Sequence, residues 1–185
     1  MELRGRLIGR IHEEEVKQIA SIVQTMYDEE AFDDFFQLLF DDERRVSENV
    51  AWIMSHFNKS GRKRLKSKKQ LMIDEAQCTS NPTKLRLLLS ILLKQTFSES
   101  EIETSFLDFC LNNITNFAQP IGIRSLSIYL SFQQCKFFPE LLSELETTLH
   151  FYDNMPLTPG LKCAKTKVLR EIKKIKENGL SSHYR

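Results

Sequence analysis

Apolar residues recur along most of the chain with the spacing of an α-helix. In residues 13–26, for example, Val16, Ile19, Ala20 and Val23 occupy positions i, i+3, i+4 and i+7 and would form one apolar stripe. The same spacing defines about nine helical segments, joined by connections of roughly two to eight residues. No segment shows the alternation typical of a β-strand, and six Gly and five Pro are too few for a turn-rich β-protein. The pattern predicts an all-α fold.

Three of the predicted helices begin in a similar way. The sequences PTKLR, PIGIR and PGLKC start at Pro82, Pro120 and Pro159, at intervals of 38 and 39 residues. Shifting the chain by 38 residues aligns three apolar columns and one basic column: Leu85, Ile123 and Leu161; Leu88, Leu126 and Ala164; Leu92, Leu130 and Val168; and Arg86, Arg124 and Lys162. A period of about 38–40 residues with two helices in each unit is typical of an α-solenoid.

An earlier unit, from Asp42 to Ala76, aligns less well with the others. An ordinary helical bundle with a chance period is the alternative, and the 34-residue helical repeat class fits less well because its small-residue and aromatic signature is missing. If the repeat alignment is correct, Leu88, Leu126 and Val168 are buried between helices.

The units resemble HEAT or armadillo-type repeats, and the segments SENVAWIMSHF, FFPELLSELETTL and PGLKCAKTKVL are similar to small stand-alone HEAT-like proteins of bacteria. The resemblance covers about residues 42–175 and implies a right-handed α-α superhelix. We predict a single domain over residues 1–185. It would consist of N-terminal helices in 1–41, about three and a half HEAT-like helix pairs in 42–177, and a tail at 178–185.

Composition and charge restrict the class of protein further. Hydrophobic residues make up 41% and charged residues 28%, which is ordinary for a globular domain. The net charge of +1 gives no overall attraction to nucleic acid or to a membrane surface. There is no apolar run of signal-peptide or membrane-spanning length. We therefore expect a cytoplasmic location and no membrane partner.

The sequence contains no recognisable catalytic or metal-binding motif. The segment HEEEV at His12 lacks the second His that a zinc-protease helix requires, since position 16 is Val. Nucleophile elbows, P-loops and dinucleotide-binding glycine motifs are also missing. The spacings of Cys78, Cys110, Cys135 and Cys163 fit neither a zinc site nor a disulfide framework, and we interpret them as reduced, mainly core thiols. We predict no catalytic residue, no metal site, no cofactor and no enzymatic activity.

Two blocks of charge are candidates for binding. Residues 28–43 hold eight carboxylates, at Asp28, Glu29, Glu30, Asp33, Asp34, Asp41, Asp42 and Glu43. A basic segment follows, with Lys59, Arg62, Lys63, Arg64, Lys66, Lys68 and Lys69. This segment could form a phosphate- or acid-binding surface, or it could be a solvated outer helix that the acidic block partly neutralises. The C-terminal helix adds Lys162, Lys165, Lys167, Arg170, Lys173, Lys174 and Lys176.

Trp52 is interpreted as a core residue rather than a base-stacking platform.

These features favour a non-enzymatic protein-interaction or scaffold module, because a solenoid offers an extended surface to another macromolecule. The alternative is a nucleic-acid-binding protein, similar in fold to the HEAT-like alkylpurine-DNA glycosylases, whose catalytic residues have no assignable counterparts here. If the cations of 59–69 and those of 162–176 lay on one face, the nucleic-acid-binding function would be favoured. A third hypothesis is a regulatory subunit whose partner is encoded nearby.

Overall fold

The computed structural model describes the backbone of residues 2–182 and the side chains of residues 3–178. Eleven α-helices and three short 3-10 turns account for the regular structure of this part, which contains no β-strand. The helices are Glu2–Ile8 (α1), Glu13–Met26 (α2), Glu29–Gln37 (α3), Arg44–Ser55 (α4), Lys59–Arg64 (α5), Lys69–Cys78 (α6), Pro82–Leu93 (α7), Thr104–Thr115 (α8), Ile121–Cys135 (α9), Pro139–His150 (α10) and Pro159–Ser182 (α11). The predicted all-α class is confirmed.

All nine predicted helical segments are helical in the structure, with two additions. The N-terminal residues form α1, and a 3-10 turn at Leu65–Lys68 divides the basic segment into α5 and α6. The predicted breaks are in place, since Pro82 and Pro159 begin α7 and α11, and Pro120 immediately precedes α9. The predicted tail at 178–185 starts inside α11, and residues 183–185 lie outside the described residues.

Polar side chains at helix starts explain several of these boundaries. The carboxylate of Asp28 accepts a hydrogen bond from the backbone N–H of Ala31 at 2.8 Å, at the start of α3. Asn58 caps α5 in the same way, accepting from Ser60 and Gly61. Such caps satisfy N–H groups that have no partner within the helix.

The chain divides into two compact units, Met1–Gln95 and Thr96–Arg185. In the first unit, α4 is the central helix and packs against α1, α2, α7 and the 3-10 turn at Leu38–Phe40. Its buried apolar residues are Val46, Val50, Ala51, Ile53 and Met54. The ring of Phe57 lies 6.1 Å from Phe32 and 6.3 Å from Phe35, measured between centroids, so the end of α4 is joined to α3.

In the second unit, α9 is central and packs against α8, α10 and α11. The core includes Ile114, Ile128, Leu145, Leu149, Tyr152, Val168 and Ile172. Arg124 is buried within this unit, where its Nε donates to the carbonyl oxygen of Ile114 at 3.2 Å and its Nη2 to the hydroxyl of Tyr152 at 2.8 Å. The hydroxyl of Tyr152 donates in turn to the same Ile114 oxygen.

The repeat alignment correctly predicts two of the three apolar columns. All members of the columns that begin at Leu85 and Leu92 are buried. In the column that begins at Leu88, Leu126 is only half-buried, so its predicted burial was wrong. The buried face of α9 instead includes Ile123, Leu130, Ser127, Ser131 and Gln134, and Leu126 lies at its edge.

Two of the four cysteines belong to the core. Cys110 and Cys135 are buried, whereas Cys78 and Cys163 are exposed, so the core interpretation was wrong for Cys163. Burial raises the pKa of the Cys135 thiol to about 12 and also raises the pKa of Cys110. These two thiols therefore stay protonated at neutral pH and act as small apolar side chains.

Within residues 2–182, none of the helices combines the length and the apolar character that crossing a membrane requires.

We predict that Gly61→Ala destabilises the first unit by about 1–3 kcal/mol, because a Cβ would overpack a filled space. It would lie 2.7 Å from Oε1 of Gln24 and 2.9 Å from Cβ of Phe57. Gly5→Ala is the matched control, since its Cβ would meet nothing within 4 Å. Urea denaturation followed by the fluorescence of Trp52 measures both variants. Equal stability of Gly61→Ala and the wild type would contradict the close packing of α5.

Truncation of single side chains on α9 tests the revised orientation of that helix. Leu130→Ala should cost about 2–5 kcal/mol, as deletion of a buried Leu side chain does. Leu126→Ala should cost clearly less, because its side chain is already partly in contact with solvent. Denaturation followed by far-ultraviolet circular dichroism measures both. A larger loss for Leu126→Ala would show that α9 is rotated from the orientation described.

Candidate functional site

An open groove of about 400 Å³ lies in the first unit, between the loop that joins α1 to α2, helix α4 and helix α7. Its lining combines cationic, aromatic and apolar side chains. The residues are Gly9, Arg10, Ile11, Arg45, Glu48, Asn49, Trp52, Thr83, Arg86 and Leu87. We refer to it as the arginine groove.

Helix α4 forms one wall of the arginine groove and holds the loop in place. Arg45, Glu48, Asn49 and Trp52 are spaced at i, i+3, i+4 and i+7, which places them on one face of the helix. The amide of Asn49 donates to the carbonyl oxygens of Leu7 at 2.8 Å and of Gly9 at 3.4 Å. Asn49 thereby fixes the loop that carries Arg10.

Asn81 joins α7 to α4 at the same groove. Its side-chain oxygen caps α7 by accepting from the N–H groups of Thr83 and Lys84, at 3.0 and 3.3 Å. Its Nδ2 donates to Oε1 of Glu48 at 2.5 Å. One side chain thus defines the start of α7 and its position against α4, which sets the position of Arg86.

Glu48 is the single carboxylate that lines the groove, and it already has partners. Its Oε1 accepts from Nε of Arg44 at 2.8 Å as well as from Asn81. Desolvation acts to raise the pKa of Glu48, but the hydrogen bonds from Arg44 and Asn81 outweigh it and lower the pKa below its ordinary value. At neutral pH Glu48 is an ionised acceptor and is poorly suited to act as a general acid.

The three groove arginines differ from most other cations of this unit. Arg10, Arg45 and Arg86 are exposed, and their side chains make no hydrogen bond or ion pair with any residue that the structure describes, although the charge of Arg45 helps to lower the pKa of Glu48. Elsewhere in the unit, ion pairs join Arg4 to Asp41, Arg6 to Glu15, Lys17 to Glu13 and Lys84 to Glu75, and Arg44 pairs with Glu48 at the groove itself. Three guanidinium groups are therefore available to a ligand in one place.

Trp52 differs from its sequence-based interpretation as a core residue. Its side chain is half-buried and forms part of the groove wall. The ring of His56 lies 6.3 Å from it, at an interplanar angle of 64°. One part of the indole is thus packed, and the rest can contact a ligand.

Sequence reasoning did not identify the arginine groove, although one signal was present. Arg86 occupies the basic column of the repeat, together with Arg124 and Lys162. These three residues differ in exposure in the structure, since Arg124 is buried whereas Arg86 and Lys162 are exposed. Arg10 and Arg45 lie far apart in sequence from Arg86, and only the packing of α4 reveals that they share a groove.

In the predicted basic segment, Arg64 has a structural role. Its guanidinium donates to three backbone carbonyl oxygens, those of Val23 at 3.2 Å, Tyr27 at 3.0 Å and Asp28 at 2.8 Å. It also forms an ion pair with Glu29 at 3.0 Å and lies 3.9 Å from the centroid of the Phe32 ring. Arg64 therefore joins the end of α2 to the start of α3.

The other cations of this segment divide into two groups. Lys68 pairs with Asp33 at 2.8 Å, and Lys69 is buried. Lys59, Lys63 and Lys66 are exposed, and Arg62 is half-buried. The acidic block thus engages Arg64 and Lys68, through Glu29 and Asp33, whereas phosphate binding by the other members stays a prediction.

Most cations near the C-terminus also have partners, within the second unit. Lys165 pairs with Asp153, Lys174 with Glu171 and Lys176 with Glu146. Lys167 lies 5.6 Å from the centroid of the Tyr129 ring. These contacts account for much of the basic character of α11 without a ligand.

The described residues also contain no group of three or more His, Cys, Asp or Glu side chains arranged to hold a metal ion. The arginine groove is therefore the candidate functional site with the most coherent chemistry. It can bind anionic groups and pack against an apolar or aromatic side chain.

A family model described as a HEAT repeat domain matches residues 3–172. The match confirms the resemblance found in the repeat units and the predicted HEAT-like class of the fold, and it begins earlier in the chain than residue 42. Comparisons with curated proteins and with solved structures gave no significant match.

Replacing Arg64 tests its structural role. We expect Arg64→Ala to lower the free energy of unfolding by roughly 1.5–3 kcal/mol, because it removes charged hydrogen bonds to three carbonyl groups. Lys63→Ala is the matched control, and as an exposed side chain it should change stability by no more than about 0.5 kcal/mol. Urea denaturation followed by Trp52 fluorescence measures both. Equal effects would contradict the division of the basic segment into structural and free cations.

Proposed function

This chain belongs to the HEAT repeat domain family, and from that membership we propose that it is a non-enzymatic protein-interaction module whose contact surface includes the arginine groove. HEAT repeats commonly serve in protein interaction, and their stacked helices present side chains from successive repeats to one partner. The proposed partner is another protein rather than nucleic acid.

The arginine groove carries this proposal. It brings three exposed arginines together with Trp52 in the first unit. Arginine and tryptophan are among the residues most often found at the energetic centre of protein interfaces. Long charged side chains without internal partners are also what a surface offers to a partner of opposite charge.

The absence of catalytic activity is part of the same proposal. Among the described residues, the groove has one carboxylate, Glu48, and it is held by Arg44 and Asn81. Of the residues that the structure describes, no Ser, Cys or His lines the groove as a nucleophile or base. The arrangement supports binding rather than bond cleavage.

Site-specific photo-cross-linking in the native cell tests the function. A photoreactive amino acid at Thr83, an exposed groove position, should form an adduct with a defined protein, identified by mass spectrometry. The same group at Ser21, exposed on α2 outside the groove, is the matched control and should not form it. Equal adducts at both positions, or adducts with nucleic acid alone, would contradict a protein-binding groove.

We also predict weak binding to nucleic acid. Affinity for mixed-sequence DNA and RNA should be no tighter than the non-specific range of about 10⁻⁴–10⁻⁶ M at physiological salt. Arg64 and Lys68 are engaged within the protein, and the net charge is only +1. A titration with labelled oligonucleotides measures this affinity. Submicromolar, salt-sensitive binding that is lost in a triple Lys59→Ser, Lys63→Ser and Lys66→Ser variant would favour the nucleic-acid function instead.

A further inference from the structure

We infer that the arginine groove binds an acidic segment of the partner protein, with carboxylates paired to Arg10, Arg45 and Arg86 and an apolar side chain packed against Trp52. The inference rests on the proposed function, because it specifies the chemistry of the partner at the same surface.

The charge arrangement is the first reason. The three arginines come from three different elements and make no ion pair with a described residue, although this unit has carboxylates in near-equal number. Residues 1–95 contain sixteen Lys and Arg and fifteen Asp and Glu. The groove is thus a local cationic site in a nearly neutral unit. Guanidinium groups bind carboxylates through paired, parallel hydrogen bonds.

The apolar lining is the second reason. Ile11 and Leu87 line the groove but are only 5% and 6% exposed, so the half-buried Trp52 is the large apolar lining residue most open to a ligand. A ligand that carried only negative charge would leave the exposed part of Trp52 in contact with water. A peptide that combines carboxylates with a Leu, Phe or similar side chain would use both parts of the groove.

The size of the groove favours a peptide over a nucleic acid as its ligand. A volume of about 400 Å³ accommodates a few side chains. A DNA-binding protein whose affinity falls steeply with salt makes about 6–10 phosphate contacts along the backbone. Three arginines in one groove provide fewer contacts than that. The observations therefore favour a short acidic segment.

Glu48 contributes to selectivity within the groove. Its carboxylate remains ionised because Arg44 and Asn81 bind it, so it carries a fixed negative charge on the α4 wall. This charge repels a ligand carboxylate placed next to it. Acidic side chains of the partner are consequently directed away from Glu48.

A random library of 12-residue peptides, selected against the intact protein, tests the chemistry without assuming a sequence. We expect the enriched peptides to carry at least two Asp or Glu and one large apolar residue. Enrichment of neutral or basic peptides, or no enrichment, would overturn the inference.

A titration with one enriched peptide then locates the binding. The fluorescence of Trp52, the single tryptophan, should change on binding, and replacement of the peptide's Asp and Glu by Asn and Gln should weaken affinity at least about tenfold. Arg45→Ser with Arg86→Ser should also weaken it at least about tenfold. Arg45→Lys with Arg86→Lys should restore part of this loss, because lysine keeps the charge but not the paired geometry.

Lys59→Ser with Lys63→Ser is the matched control, since it removes the same charge from the same unit outside the groove. This control should leave peptide affinity unchanged. Equal weakening by the two Ser pairs would show that the attraction is not specific to the groove and would overturn the inference. Cross-linking to a protein at Thr83 that persists in Arg45→Ser with Arg86→Ser would leave the proposed function standing and reject the acidic partner.

Discussion

Basic side chains that bind the carbonyl groups at helix ends are the interaction on which much of this structure depends. The last carbonyls of a helix have no partner within it, and leaving them buried and unpaired costs free energy. Lys84 donates to Leu39 at 2.6 Å and Lys94 to Ser55 at 2.8 Å. Arg64 and Arg124 act in the same way at the ends of α2 and α8. In each case a cation from a later element satisfies an earlier helix end, so the same bond that completes a helix also joins two helices.

This use of cations determines which charges are available for function. A guanidinium or ammonium group that already satisfies carbonyls cannot bind a ligand without exposing them again. The basic segment at 59–69 contains fewer free charges than its composition indicates, since Arg64 binds carbonyl groups and Lys68 forms an ion pair with Asp33. By contrast, Arg10, Arg45 and Arg86 complete no helix end within the described residues. The groove that they line stands out because the surrounding charges are engaged.

Two asparagines give the arginine groove its defined geometry. Asn49 binds the loop that follows α1, and Asn81 binds both the start of α7 and Glu48. These contacts connect all three elements that line the groove. The backbone position of each arginine therefore depends on hydrogen bonds that Asn49 and Asn81 make. The backbone that carries the arginines is thereby preorganised, which reduces the part of the binding entropy cost that comes from ordering the backbone.

Helical periodicity and proline spacing were sufficient to predict nine helices, the helix breaks and the repeat columns that begin at Leu85 and Leu92. These features are local, because spacing along a helix determines which side chains share a face. The half-burial of Leu126, the structural role of Arg64 and the arginine groove were not predictable in this way. Whether a basic residue is free or bonded depends on carbonyl and carboxylate groups tens of residues away. Sequence alone therefore determined nine helical segments and most of their repeat, and tertiary packing decided which of the cations remained available to a partner.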